Sequence, residues 1–193
     1  MVEVRVRPAV PGDGPAIGRA HVEAWQTGYA GLMPSAFLHG LDAVERGGAW
    51  EQRLIAHQRS ANANTNDDPE FLVAELDQYG VVAIATIGPE RDDRPDRAIS
   101  GEVWMINVAP GAWGRGVGSV LLQAAVDRLK QRGCSRPVLW VLESNTRARA
   151  FYEHNGWTFD GASKSEHLGG RELCELRYAY TPTSPTRDPL GTA

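Results

Sequence analysis

The order of apolar runs and turns predicts an α/β (α+β) chain built on a mixed sheet, and three observations carry that prediction. An apolar run at 103–108 passes through a glycine-rich turn into Val117, Val120, Leu121, Ala124, Ala125 and Leu129, spaced three and four apart as on one helical face. A second run at 137–142, opened by Pro137 and rich in β-branched and aromatic residues, leads into Ala148, Phe151 and Tyr152 on another such face. Two further apolar runs, 71–76 and 81–87, flank Tyr79-Gly80 and read as a hairpin.

The remaining elements follow in chain order. Residues 2–7 alternate apolar and charged side chains, as a first strand does. Residues 11–15 form a turn with Asp13 as its helix cap, and Ile17, Ala20, Ala24 and Trp25 make the stripe of the first helix. Residues 28–34 break that helix. A second helical region runs through Trp50, Leu54 and Ile55, weakened by Gly47-Gly48, and the Asn- and Asp-rich stretch 60–69 is a loop. A charged, proline-bearing loop at 89–97 precedes the strand that Glu102 opens. Ser144 or Asn145 caps the helix around Phe151, and Gly156 ends it. Two strands follow Trp157, the last at 172–180. The expected organisation is one domain over 1–180 and a disordered tail over 181–193, which holds three prolines.

The glycine-rich turn is where the chemistry concentrates. A turn between a strand end and a helix start exposes backbone N–H groups at the positive end of a helix dipole, which is a phosphate site. Two well-known loops fail here on spacing. Gly111 to Gly116 has the gap of a P-loop, but no lysine follows Gly116. Gly114-x-Gly116-x-Gly118 is not the G-x-G-x-x-G of a dinucleotide fold, and it lies past the middle of the chain.

The stretch 108–119 resembles the acetyl-CoA loop of the GNAT superfamily of N-acetyltransferases, whose pattern is valine, one residue, proline, then Gln/Arg-x-x-Gly-x-Gly/Ala. Val108, Pro110, Gly116 and Gly118 match it. Trp113 stands where Gln or Arg belongs, and Arg115 is the residue expected to supply the missing charge. The stretch 144–157 resembles the second hallmark of the same superfamily, Asn-x-x-Ala-x-x-Phe-Tyr followed by Gly-Phe, through Asn145, Ala148, Phe151, Tyr152, Gly156 and Trp157. The resemblance covers about residues 3–180. It implies a mixed, mostly antiparallel sheet of six to seven strands with about four helices, and central strands that splay apart around coenzyme A.

The resemblance also implies roles. Asn107, Val108, Trp113, Gly114, Arg115, Gly116, Val117, Gly118, Ser119, Asn145 and Tyr152 would hold acetyl-CoA as cosubstrate. An amine acceptor must lose a proton, since an alkylammonium has a pKa of about 10.4. Glu102 matches the glutamate that serves as general base in many relatives. A backbone N–H near Val108 would stabilise the oxyanion, and Tyr152 matches the tyrosine that protonates the leaving thiolate. Trp25, Tyr29 and Trp104 are candidates for the acceptor pocket, with Leu32 and Met33 in the segment that closes over it. Trp104 is two residues from Glu102 and shares its direction unless a bulge intervenes.

Composition excludes several classes. With 42% hydrophobic residues the chain buries a substantial core, and no run is long enough for a membrane helix or a signal peptide. A net charge of −4 without a basic patch argues against nucleic acid. Cys134 and Cys174 have no metal-like spacing and read as reduced thiols of a cytoplasmic protein. The five histidines form no metal or triad pattern, so no metal is expected. The leading expectation is an acetyl-CoA-dependent N-acetyltransferase acting on a small-molecule amine through a ternary complex. A protein lysine or N-terminal acetyltransferase and a non-catalytic coenzyme A sensor are the alternatives. Homodimerisation, common in relatives, has no sequence signature here.

Overall fold

Both strand-to-helix units form where the apolar spacing places them, in a computed structural model that describes residues 3–60, 68–92, 100–168 and 170–181. In chain order the elements are β1 (Val4–Pro8), α1 (Gly14–Gly28), α2 (Ser35–His39), α3 (Ala43–Ser60), β2 (Glu70–Leu76), β3 (Gly80–Pro89) and β4 (Ser100–Val108). They continue with α4 (Val117–Gln131), β5 (Arg136–Leu142), α5 (Thr146–His154), β6 (Trp157–Leu168) and β7 (Arg171–Tyr180). The short α2, absent from the sequence reading, follows the break at 28–34. The expected tail lies outside the described residues from 182 onward, as do 61–67 and 93–97 of the two expected loops.

Among the described residues, seven strands form one sheet in the order β1-β2-β3-β4-β5-β7-β6. Every pairing is antiparallel except β4 with β5. Successive residues of β2 serve opposite faces, as the strand period requires. Leu72, Ala74 and Leu76 join the core beneath α4, with Leu121, Leu122, Ala125 and Leu129. Phe71 and Val73 join Ile17, Trp50 and Leu54 beneath α1 and α3. The parallel register of β4 and β5 covers only Ser100–Val103 against Arg136–Leu139. Beyond it the two strands continue unpaired with each other, β4 to Val108 and β5 to Leu142, which opens a gap in the middle of the sheet. This is the splay that the family resemblance implies.

Two local expectations are corrected. Asp13 does not cap α1 with its side chain; its carboxylate is held by Arg7 at 2.7 and 2.9 Å. Glu51 of α3 takes over, accepting from the Gly12 and Gly14 N–H groups at 2.8 and 3.1 Å. Gly47, read as a weakness in α3, permits the close crossing of α1. A Cβ on Gly18 would sit 2.4 Å from the Gly47 nitrogen. Gly18→Ala is therefore expected to force the helices apart at a cost of about 2 kcal/mol. Calorimetry should show a melting temperature roughly 6 °C lower.

His21 is buried in the same layer, stacked on Trp25 at 5.5 Å and accepting from Trp50 Nε1 at 3.4 Å. Burial, with Arg46 and Arg53 nearby, pushes its pKa down to about 4. The unfolded chain protonates this group below about 6.5, whereas the folded chain resists until about pH 4. Stability from neutral His21 is thus complete above 6.5 and lost as pH falls toward 4, by about 3 kcal/mol. Urea titrations at pH 7 and 4.5 should show a larger loss for the native chain than for His21→Gln; equal losses would contradict this account.

Candidate functional site

The gap between β4 and β5 widens into a cleft of about 570 Å3. Its floor and one wall come from Ile106, Asn107 and Val108 of β4 and from Trp140, Val141 and Leu142 of β5. The Ala109 N–H donates to Val82 O at 2.9 Å, so Ala83 and Val108 form a non-hydrogen-bonded pair. The Val108 N–H and C=O therefore point away from β3, into the space β5 has vacated. The carbonyl accepts from the Trp113 indole at 2.7 Å. Asn107 is buried, and its Nδ2 finds no acceptor among the described residues.

The loop after β4 forms the second wall. Gly114 and Gly116 have φ of 70° and 81°, left-handed conformations that a side chain would strain. Gly116 occupies the N-cap of α4, so the Val117, Gly118 and Ser119 N–H groups have no intrahelical acceptor. These residues line the cleft, and the dipole of a 15-residue helix adds positive potential there. Gly118 is small for a different reason: a Cβ would meet the Phe151 ring at 3.2 Å, so the glycine lets α4 approach α5.

Helix α5 closes the third side. Asn145 caps it, its side chain accepting from the Ala148 N–H at 3.1 Å, and both residues line the cleft. Phe151 and Tyr152 lie one turn on, packed against the sheet. Burial pushes the Tyr152 phenol well above the usual tyrosine range, and Tyr29 adds to the effect. Tyr29 caps α1 from across the cleft; burial and the charge of Glu175 raise its own pKa.

The structure thus brings together Tyr29, Asn107, Val108, Trp113, Gly114, Gly116, Val117, Gly118, Ser119, Asn145 and Tyr152. It does not bring Glu102, Trp104, Trp25 or Arg115 to the cleft. Glu102 is only 1% exposed, and its carboxylate accepts from the Arg91 guanidinium and, at 3.0 Å, from the Arg91 N–H. Trp104 sits in a bulge of β4, opposite the step from Thr86 to Ile87. Its ring lies over Gly88, its indole donates to Pro89 O at 3.0 Å, and Arg91 stacks on it. Arg115 is turned outward over Tyr79. Trp25 stacks between His21 and Tyr29, leading toward the cleft without lining it.

Of the lining residues that the sequence reading did not place in the site, three bring polar or charged groups. Glu175 of β7 presents a carboxylate, with Lys164 at 3.8 Å. Trp140 presents an indole that donates to Asp92 at 2.9 Å. Arg147 of α5 stacks on Trp113. Leu32 borders a smaller hollow beside Cys174, and Met33 is buried. Both cysteines are free thiols. Among the described residues no cluster of three or more His, Cys, Asp or Glu could hold a metal, and no helix is long and apolar enough to cross a membrane.

Comparison with known proteins fits this geometry. A model of the acetyltransferase (GNAT) family matches residues 36–157. A mycothiol acetyltransferase of Beutenbergia cavernae is 50% identical over 64 residues, 33% of this chain and 21% of that protein. The chain therefore matches only about a fifth of that relative's length. The N-acetyltransferase YuaI of Bacillus subtilis is 28% identical over 74% of this chain and 73% of its own. In fold, the chain is similar to the PaiA N-acetyltransferase of Thermoplasma acidophilum, solved with coenzyme A, at TM-score 0.65 and 20% identity over 90% of this chain and 98% of that one. It is likewise similar to YncA of Salmonella typhimurium, solved with acetyl-CoA, at TM-score 0.62 and 19% identity over 95% and 96%.

Proposed function

The chain belongs to the acetyltransferase (GNAT) family, and from that membership we propose that it transfers the acetyl group of acetyl-CoA to a primary amine of a small molecule. The observation that carries the reading is the cleft itself. Unpaired strand ends, α4 amides and the Val108 N–H face one space of about 570 Å3. A long thioester with a phosphate-bearing tail suits that combination: amides for the phosphates, apolar strand residues for the arm, and Asn107 and Asn145 beside it.

When bound, acetyl-CoA supplies an activated acyl carbon, so that the N–C bond forms as the C–S bond breaks. The residues around it divide the remaining work. The Val108 N–H points where a developing oxyanion is held. Tyr152, kept protonated by its burial, is the donor to the departing sulfur. Glu175 is the carboxylate on the cleft wall, and we assign it the proton of the acceptor ammonium in place of Glu102, which faces Arg91. Tyr29 and Trp140 bound the space around that carboxylate and would hold the body of the amine.

Thiol release from acetyl-CoA, followed across a panel of small primary amines, amino acids and lysine-containing peptides, tests the proposal. Release stimulated by small amines is the expected result. Release stimulated by peptides alone would move the acceptor class, and binding without release on any amine would make the chain a sensor.

A further inference from the structure

Trp113 occupies the position where the family pattern carries Gln or Arg, and Arg115 points away from the cleft. A guanidinium nevertheless reaches this wall from another element. The Arg147 Cζ lies 3.6 Å from the centroid of the Trp113 ring, while the indole N–H of that ring is fixed to Val108 O at 2.7 Å. One tryptophan thereby ties the end of β4, the loop and α5 together. Arg147 also reaches toward α1, since a Cβ on Gly28 would sit 3.4 Å from its Nη2.

Two further observations describe the setting of this arginine. Among the described residues, no carboxylate pairs with Arg147. It also stands in the first turn of α5, where the helix dipole disfavours a cation. An exposed arginine at such a position is stabilised when an anion completes the site. We propose that Trp113 and Arg147 together replace the polar side chain of the family loop. The indole holds the guanidinium across the cleft from the Val117–Ser119 amides, and the diphosphate of coenzyme A is clamped between them. The proposal rests on the coenzyme A reading of the cleft. It assigns Trp113 a purpose: a flat ring is what a planar guanidinium stacks on, and lysine is a poor replacement there.

Calorimetric titration with coenzyme A, 3′-dephospho-coenzyme A and pantetheine tests the clamp on the full chain. Arg147→Ala is expected to weaken both diphosphate ligands about tenfold, as loss of a charge-assisted hydrogen bond does, and to leave pantetheine unchanged. Arg147→Lys should recover little. Adding Trp113→Arg to Arg147→Ala should recover most of the loss, because the loop then carries its own cation. Coenzyme A binding by Arg147→Ala equal to the native chain would overturn the clamp, as would an equal loss for pantetheine or a loss confined to the 3′-phosphate. A native chain that binds none of the three would instead overturn the coenzyme A reading itself. The unliganded melting temperature of Arg147→Ala, expected to be near native for so exposed a residue, separates binding from folding.

Discussion

Tyr152→Phe is expected to lower turnover about 100-fold or more while leaving the affinity for coenzyme A nearly intact. The hydroxyl is the only atom removed, and the ring keeps its packing against Phe151, Trp157 and Tyr178. Burial holds the phenol protonated across the working range, so a donor is in place when the thiolate departs. Steady-state kinetics beside a coenzyme A titration would separate the two effects. Turnover within a few-fold of native would mean that water protonates the thiolate and that Tyr152 only packs the cleft.

The second large effect distinguishes two carboxylates. Glu175→Gln should depress kcat about 100-fold, with little change in coenzyme A binding, because Glu175 lines the cleft and the amide cannot accept a proton. Glu102→Gln should act mainly on stability, costing about 1 kcal/mol, because Glu102, near the start of β4, anchors the Arg91 backbone and guanidinium just past the end of β3. The reverse pattern, with Glu102→Gln inactive and Glu175→Gln near native, would restore the base expected from the family resemblance.

The contrast between those carboxylates shows what is legible in a sequence and what is not. Both strand-to-helix units could be read, since apolar spacing and glycine position are local properties of a segment. Asn145 as helix cap and Gly116 at the head of α4 were legible for the same reason. Glu102 and Trp104 were not, because their directions depend on β3. A bulge opposite Thr86 and Ile87 turns Trp104 onto Gly88, and Arg91 arrives from the end of that strand. The Gly18–Gly47 crossing is invisible for a related reason: a glycine that weakens an isolated helix is what lets two helices meet. Arg147 did leave a trace. A cation in the first turn of α5, beside a motif alanine, is disfavoured by the helix dipole. Glu175 left none, since an acidic residue in a strand otherwise reads as a solvent-facing charge.

The central claim is that the splayed cleft binds coenzyme A. Thermal melting with acetyl-CoA at a hundred times its dissociation constant should add about 2.7 kcal/mol of stability. For a chain of this size that is a rise of roughly 8 °C. Desulfo-coenzyme A should raise the melting temperature similarly, and adenosine alone should not. An unchanged melting temperature at millimolar acetyl-CoA would contradict the account, leaving the fold intact and the cleft without its ligand.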